Sequence, residues 1–139
     1  MKNIHFKKNI ELNLDEVISL YQQSTLGERR PIANRAVMKA MIQNANLIIT
    51  AWDENLLIGI SRSLTDFSYV AYLADLAVHS DYQKQGIGTT LIEETRNALE
   101  PTCFLTLLSA PKANDYYPKV GFENHPRAWV MKPSVDPDQ

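Results

Sequence analysis

The stretch that decides the fold is LADLAVHSDYQKQGIGTTLIEETRNAL, residues 73–99. It reads as a strand, a glycine-punctuated turn and an amphipathic helix in succession. The turn carries the spacing Gln-x-x-Gly-x-Gly at Gln83, Gly86 and Gly88. Two glycines one residue apart at the mouth of a helix let the backbone come close to a ligand, and the free first amides and the helix dipole favour an anion there. The turn is therefore a candidate phosphate cradle. It lacks the Gly-Lys-Ser/Thr ending of a nucleoside-triphosphate loop, and it holds only two of the three glycines of a dinucleotide fingerprint.

Working outward, the run Gln83-Lys84-Gln85-Gly86-Ile87-Gly88 resembles the acyl-coenzyme A loop of the GNAT (general N-acetyltransferase) superfamily, a Gln/Arg-x-x-Gly-x-Gly/Ala pattern between a strand and a helix. The preceding Leu76-Ala77-Val78 resembles that family's strand. Residues 110–122, APKANDYYPKVGF, resemble its Ala-x-x-Phe-Tyr-x-Lys-x-Gly-Phe segment through Ala113, the pair Tyr116-Tyr117, Lys119, Gly121 and Phe122. The departures are Tyr116 where Phe is commoner and Pro118 after the pair. Neither removes the hydroxyl of Tyr117.

The resemblance implies an α/β fold: a mixed, mostly antiparallel sheet flanked by helices, with central strands that splay apart. It implies an N-acetyltransferase that moves an acetyl group from acetyl-CoA to a primary amine of a small molecule or peptide. The backbone of Leu76 and Val78, with Ala77 between them, would bond the pantetheine arm. The amides of Gln83, Lys84, Gln85, Gly86, Ile87 and Gly88, continuing to Thr89, would hold the pyrophosphate. Lys84 would screen phosphates or simply be solvated, and Asn114 would touch the cofactor or, preferably, cap a short helix. A homodimer is among the outcomes, since homodimers are common in the family.

Acyl transfer from a thioester to an amine needs a positioned thioester, a neutral amine and a stabilised leaving thiolate. Tyr117 is the candidate proton donor, because a phenol with a pKa near ~10 stays protonated at neutral pH. The competing reading has Tyr117 packing under the cofactor with its hydroxyl bonded to backbone. Tyr116 is expected to point elsewhere, into the core. Asp75 lies in the apolar strand ADLAV, where a carboxylate must be bonded, paired or at a cleft surface. It would serve as a base for the substrate ammonium, or instead orient a turn or pair with an arginine. Glu28, Arg29, Arg30, Arg62, Thr65 and Asp66 are further candidates for the acceptor pocket, each weighed against a solvated surface role.

Composition agrees with one small enzyme domain over residues 1–132 and a polar, frayed tail over 133–139. The 45% hydrophobic and 22% charged content is that of an ordinary globular domain. A net charge of −2 argues against a nucleic-acid partner. No apolar run suggests a membrane span or a signal segment, so a cytoplasmic protein is expected. Cys103 is the only cysteine and reads as a reduced core residue, with no internal disulfide open to it. His5, His79 and His125 lack ligand spacing, so no metal is expected. Two other functions stay open: a non-catalytic acyl-CoA binding or sensing module, and a protein using the turn for another phosphate ligand.

For the remaining elements, the patterns predict a strand over 3–8 and helices over 15–23 and 35–44, capped by Asn13 and Asn34. A hairpin over 47–64 turning at 53–55, a strand over 69–79 and a helix over 88–99 follow. Beyond these come a strand over 103–109, a short helix over 113–119 and closing strands over 122–124 and 128–132.

Overall fold

The computed structural model describes residues 3–138. Five strands form one sheet in the order β1-β2-β3-β4-β5: Ile4–Lys8, Leu47–Asp53, Leu56–Thr65, Val70–Val78 and Phe104–Thr106. The first four are antiparallel neighbours, and β5 runs parallel to β4. Helices α1 (Leu14–Gln23) and α2 (Arg35–Asn44) cover one face, and α3 (Ile87–Asn97) covers the other.

The caps form where the side chains foretell them. Asn13 Oδ1 accepts the Glu16 amide at 3.2 Å, and Asn34 Oδ1 accepts the Val37 amide at 3.2 Å. The α1 and α2 stripes bury Val17, Leu20, Tyr21 and Met38 against Ile48, Trp52, Leu57, Ile60 and Ala77. On the opposite face, Ile87 and Leu91 of α3 pack with Ile49, Ala51, Ile58 and Ala71. Gly59 permits that contact: a Cβ there would stand 3.1 Å from Leu91 Cδ1 and 3.2 Å from Ala51 Cβ.

Two irregularities of β4 create the site. Arg62 pairs with Asp75, but Ser63 pairs with Leu73, so Ala74 is an extra residue. Side chains alternate faces along a strand, and one extra residue reverses the alternation. Ala71 accordingly packs with α3, whereas Ala77, six residues on, packs with α1 and α2. The second irregularity is on the other edge. β5 pairs with β4 only over Val70–Tyr72, and from Leu73 to Val78 that edge of β4 has no strand beside it. The expected splay is present.

The C-terminal region departs from expectation. The short helix over 113–119 is two separate 3-10 turns, Pro111–Ala113 and Tyr117–Val120. The closing strands over 122–124 and 128–132 do not form: no strand follows Thr106 among the described residues. Apolar alternation reports fitness for a pleated surface, not the presence of a partner. With β5 only three residues long, and with Pro126 and Pro133 interrupting the donors, there is no ladder to extend. Trp129 and Met131 stand 92% and 97% exposed as a result. The polar tail instead docks at the start of α2, where Asn34 Nδ2 donates to the Pro137 carbonyl at 3.0 Å and the Ala33 amide donates to Asp138 Oδ1 at 3.3 Å.

Candidate active site

The α3 N-terminus is built by its glycine turn. Lys84 and Gly86 have φ of 62° and 82°, the left-handed region that reverses the chain before the helix. Gly86 is the N-cap and offers no side-chain oxygen to the first helical amides. Its carbonyl accepts the Thr90 amide at 3.0 Å, leaving the amides of Ile87, Gly88 and Thr89 ahead of the helical ladder. A Cβ on Gly86 would meet nothing within 4 Å, so the turn itself is open on that side.

From this cradle a groove of about 360 Å³ runs along the free edge of β4. It is lined by Gln83, Lys84, Gly86, Ile87, Gly88 and Thr89 at one end. Leu76, Ala77 and Val78 form its floor, and Tyr116 and Tyr117 form a wall. Leu26 and Arg29, from the 3-10 segment Thr25–Arg29 after α1, and that segment's N-cap Ser24 also line the groove. The His79 amide donates to the Ile58 carbonyl at 2.8 Å. Bonded pairs alternate along an antiparallel ladder, so 79/58 and 77/60 are the bonded pairs and the backbone groups of Leu76 and Val78 face the groove. The Val78 carbonyl confirms that direction by accepting Gln83 Nε2 at 3.2 Å.

Tyr117 is half-buried between Tyr116 and Phe122, with edge-to-face ring separations of 5.2 and 5.6 Å. Among the described residues its hydroxyl has no hydrogen-bond partner, unlike the packed tyrosine bonded to backbone that the competing reading requires. Burial pushes its pKa up, the neighbouring Tyr116 adds to this, and the Arg29 guanidinium opposes it. The phenol stays protonated and unoccupied.

Tyr116 corrects the expectation of a core residue. Its hydroxyl lies 3.0 Å from Thr89 Oγ1, and a Cβ on Gly88 would stand 3.3 Å from it. Both tyrosines therefore face the groove. The signal missed was the second hydroxyl itself, which a phenylalanine packing in the core would not carry.

Asp75 is also reassigned. Its carboxylate is fully buried and accepts three donors at 2.6 Å: the Tyr21 hydroxyl, Arg30 Nε and Arg62 Nε. Burial alone would push its pKa up, but Arg62, Tyr21 and Arg30 outweigh that and hold it below the usual carboxylate range. A carboxylate so satisfied is a poor base and does not line the groove. The arginine-pairing alternative describes it, and the Ala74 bulge is what turns it toward Tyr21. Arg30 also donates from Nη2 to the Ala74 carbonyl at 2.8 Å, and Arg62 from Nη1 to the Met41 carbonyl at 3.2 Å. Four elements are joined under the groove by this cluster.

Other candidates fall outside. Gln85 is exposed on the turn and does not line the groove. Asn114 is the C-cap residue of the first 3-10 turn and does not line the groove; its Oδ1 accepts the Ser109 hydroxyl. Thr65 and Asp66 are spent on the β3–β4 turn, where Asp66 Oδ1 accepts the amides of Ser68, Tyr69 and Val70. Glu28 is exposed.

Known proteins share this fold. The Acetyltransferase (GNAT) domain family matches residues 19–132. An uncharacterized N-acetyltransferase, ycf52, of Gracilaria tenuistipitata var. liui is 28% identical over 126 residues, spanning 85% of this chain and 69% of its own. A protein of unknown function from meticillin-resistant Staphylococcus aureus, described as a probable acetyltransferase, superposes with a TM-score of 0.77 at 22% identity, covering 96% of this chain and 100% of that one. Aminoglycoside N-acetyltransferase AAC(6')-Iy, solved in complex with CoA, superposes at 0.73 with 15% identity, covering 97% of each. With a family match across most of its length and the cradle, splay and paired tyrosines in place, the chain belongs to the GNAT acetyltransferase family and is an acyltransferase.

Proposed function

We propose that the protein transfers the acetyl group of acetyl-CoA to the primary amine of a small molecule or peptide by direct attack. The observation that carries this reading is the continuity of the groove: helix-start amides, unpaired β4 backbone and an unoccupied phenol lie along one path. The residues suit the cofactor. Ile87, Gly88 and Thr89 amides with Lys84 hold its diphosphate, and Leu76 and Val78 replace the missing β5 ladder by bonding its pantetheine amides. Gln83 Nε2, which donates to the Val78 carbonyl at 3.2 Å, would yield that carbonyl to the arm. When bound, acetyl-CoA supplies the thioester that the amine attacks.

Tyr117 donates its proton to the departing sulfur, whose pKa is comparable to that of a phenol. The excess proton of the amine leaves to solvent through the open groove; Asp75 is not assigned to that step. A non-catalytic binding module is disfavoured by the free Tyr117 hydroxyl, which serves no structural bond. The test is thiol release from acetyl-CoA in the presence of primary amines, alongside melting in acetyl-CoA, ATP or NAD. Stabilisation by acetyl-CoA alone, with amine-dependent thiol release, is expected. Stabilisation without any release would return the protein to the binding-module reading.

A further inference from the structure

The groove has a charge pattern that none of its expected duties explains. Two cations line it, Lys84 and Arg29, and no aspartate or glutamate does so among the described residues. Lys84 sits in the glycine turn, where a diphosphate accounts for it. Arg29 is at the opposite end. Its neighbour Arg30 is bonded to Asp75 and to the Ala74 carbonyl, which anchors this loop beside the middle of β4, just before the groove floor at Leu76. Arg29 is also near enough to Tyr117 to influence its ionisation. The acetyl end of the cofactor carries no charge for it to meet. The nearest carboxylate on the strand, Asp75, is 0% exposed and already shared by Arg30 and Arg62. Arg29 itself is exposed and makes no ion pair among the described residues.

From this we infer that the acceptor is an amino-carboxylate: an amine bearing a carboxylate that Arg29 grips while the amine faces the thioester beside Tyr117. A guanidinium matches a carboxylate with two parallel N–H donors, so it both binds and orients such a substrate. A polycationic acceptor is disfavoured on the same grounds, since it needs carboxylates to replace its hydration and this groove lends it none.

The inference rests on the acetyl-transfer reading, and the experiment separates the two. Initial rates are measured with acetyl-CoA for matched pairs that differ only in the carboxylate: tyrosine and tyramine, histidine and histamine, lysine and cadaverine, with spermidine as the polycation. A charge-assisted bidentate contact is worth roughly 10- to 100-fold in kcat/KM toward the acid of each pair. Arg29→Gln should remove most of that preference through KM, Arg29→Lys should restore part of it, and the melting temperature of both variants should match the parent because the side chain is exposed. Equal or better use of the decarboxylated amines or spermidine overturns the inference and leaves acetyl transfer standing. A preference that survives Arg29→Gln also overturns it. Failure of acetyl-CoA to stabilise the protein at all would remove the functional reading underneath.

Discussion

The two halves of β4 around Asp75 and Val78 treat polar groups in opposite ways. At Asp75 the polar groups bond one another: a buried carboxylate, two guanidiniums, a phenol and two carbonyls close on one another. A few residues on, from Leu76 to Thr89, backbone groups are left facing a groove. The difference separates architecture from site. Buried polar groups that only hold the fold must be satisfied within it, whereas groups meant for a ligand are kept in reserve at the surface of a cleft. Tyr21 and Tyr117 show the contrast in one residue type: the first bonded and 0% exposed, the second half-buried with a free hydroxyl.

The sharpest break in this comparison is Tyr117→Phe. It removes a reserved hydroxyl and keeps the ring, so turnover should fall roughly 10²- to 10⁴-fold with cofactor affinity and melting temperature nearly unchanged. Turnover within about twofold of the parent would strip Tyr117 of its role as proton donor. Asp75→Ala attacks the satisfied half. Leaving two guanidiniums without their carboxylate should cost about 3–5 kcal/mol in chemical unfolding, a loss of stability that acetyl-CoA does not repair.

The same cluster sets a pH dependence. The Asp75 pKa is lowered in the folded state, so its contribution is present above the unfolded carboxylate value of about 4 and is lost as pH falls below it. Tyr21 is raised well above the ordinary phenol, by burial first and by Asp75 next. Its contribution is complete below about pH 10 and fades as pH rises beyond. These two groups therefore add no slope to stability between these limits, and Asp75→Ala should flatten the acid limb.

Gly88→Val should have a smaller effect. The added side chain pushes on the Tyr116 hydroxyl and covers the cradle amides, weakening acetyl-CoA about 10- to 100-fold by titration while the helix persists. Smallest is Tyr116→Phe, which removes one hydroxyl contact with Thr89. Cofactor affinity should drop by a few-fold, in line with a bond worth about 0.5–1.5 kcal/mol, and kcat at saturating cofactor should hold. An unchanged affinity would mean that the Thr89 contact only packs the wall.

Most of the fold was legible because its signals are local. Asn13 and Asn34 announce the starts of α1 and α2, the 3.6-residue stripe of Leu91, Ile92 and Thr95 announces α3, and Gly86 and Gly88 announce the turn before it. The groove lining from Leu76 to Thr89 was legible for the same reason, since it is one continuous segment. The C-terminal strands were misjudged because a strand exists only with a neighbour, and β5 ends after three residues. Tyr116 was misjudged because the helix expected over 113–119 breaks into two turns, which changes where its side chain points.

By itself, then, the sequence determined the order of elements from β1 to β5 and the glycine turn before α3, because each depends on residues within a turn or two of one another. Only the tertiary structure decided the fate of Asp75. Its face of the sheet is set by the extra residue Ala74, and its partners come from 54, 45 and 13 positions away. No local pattern records a change of register, and an ion pair between distant segments has no existence until packing brings them within reach.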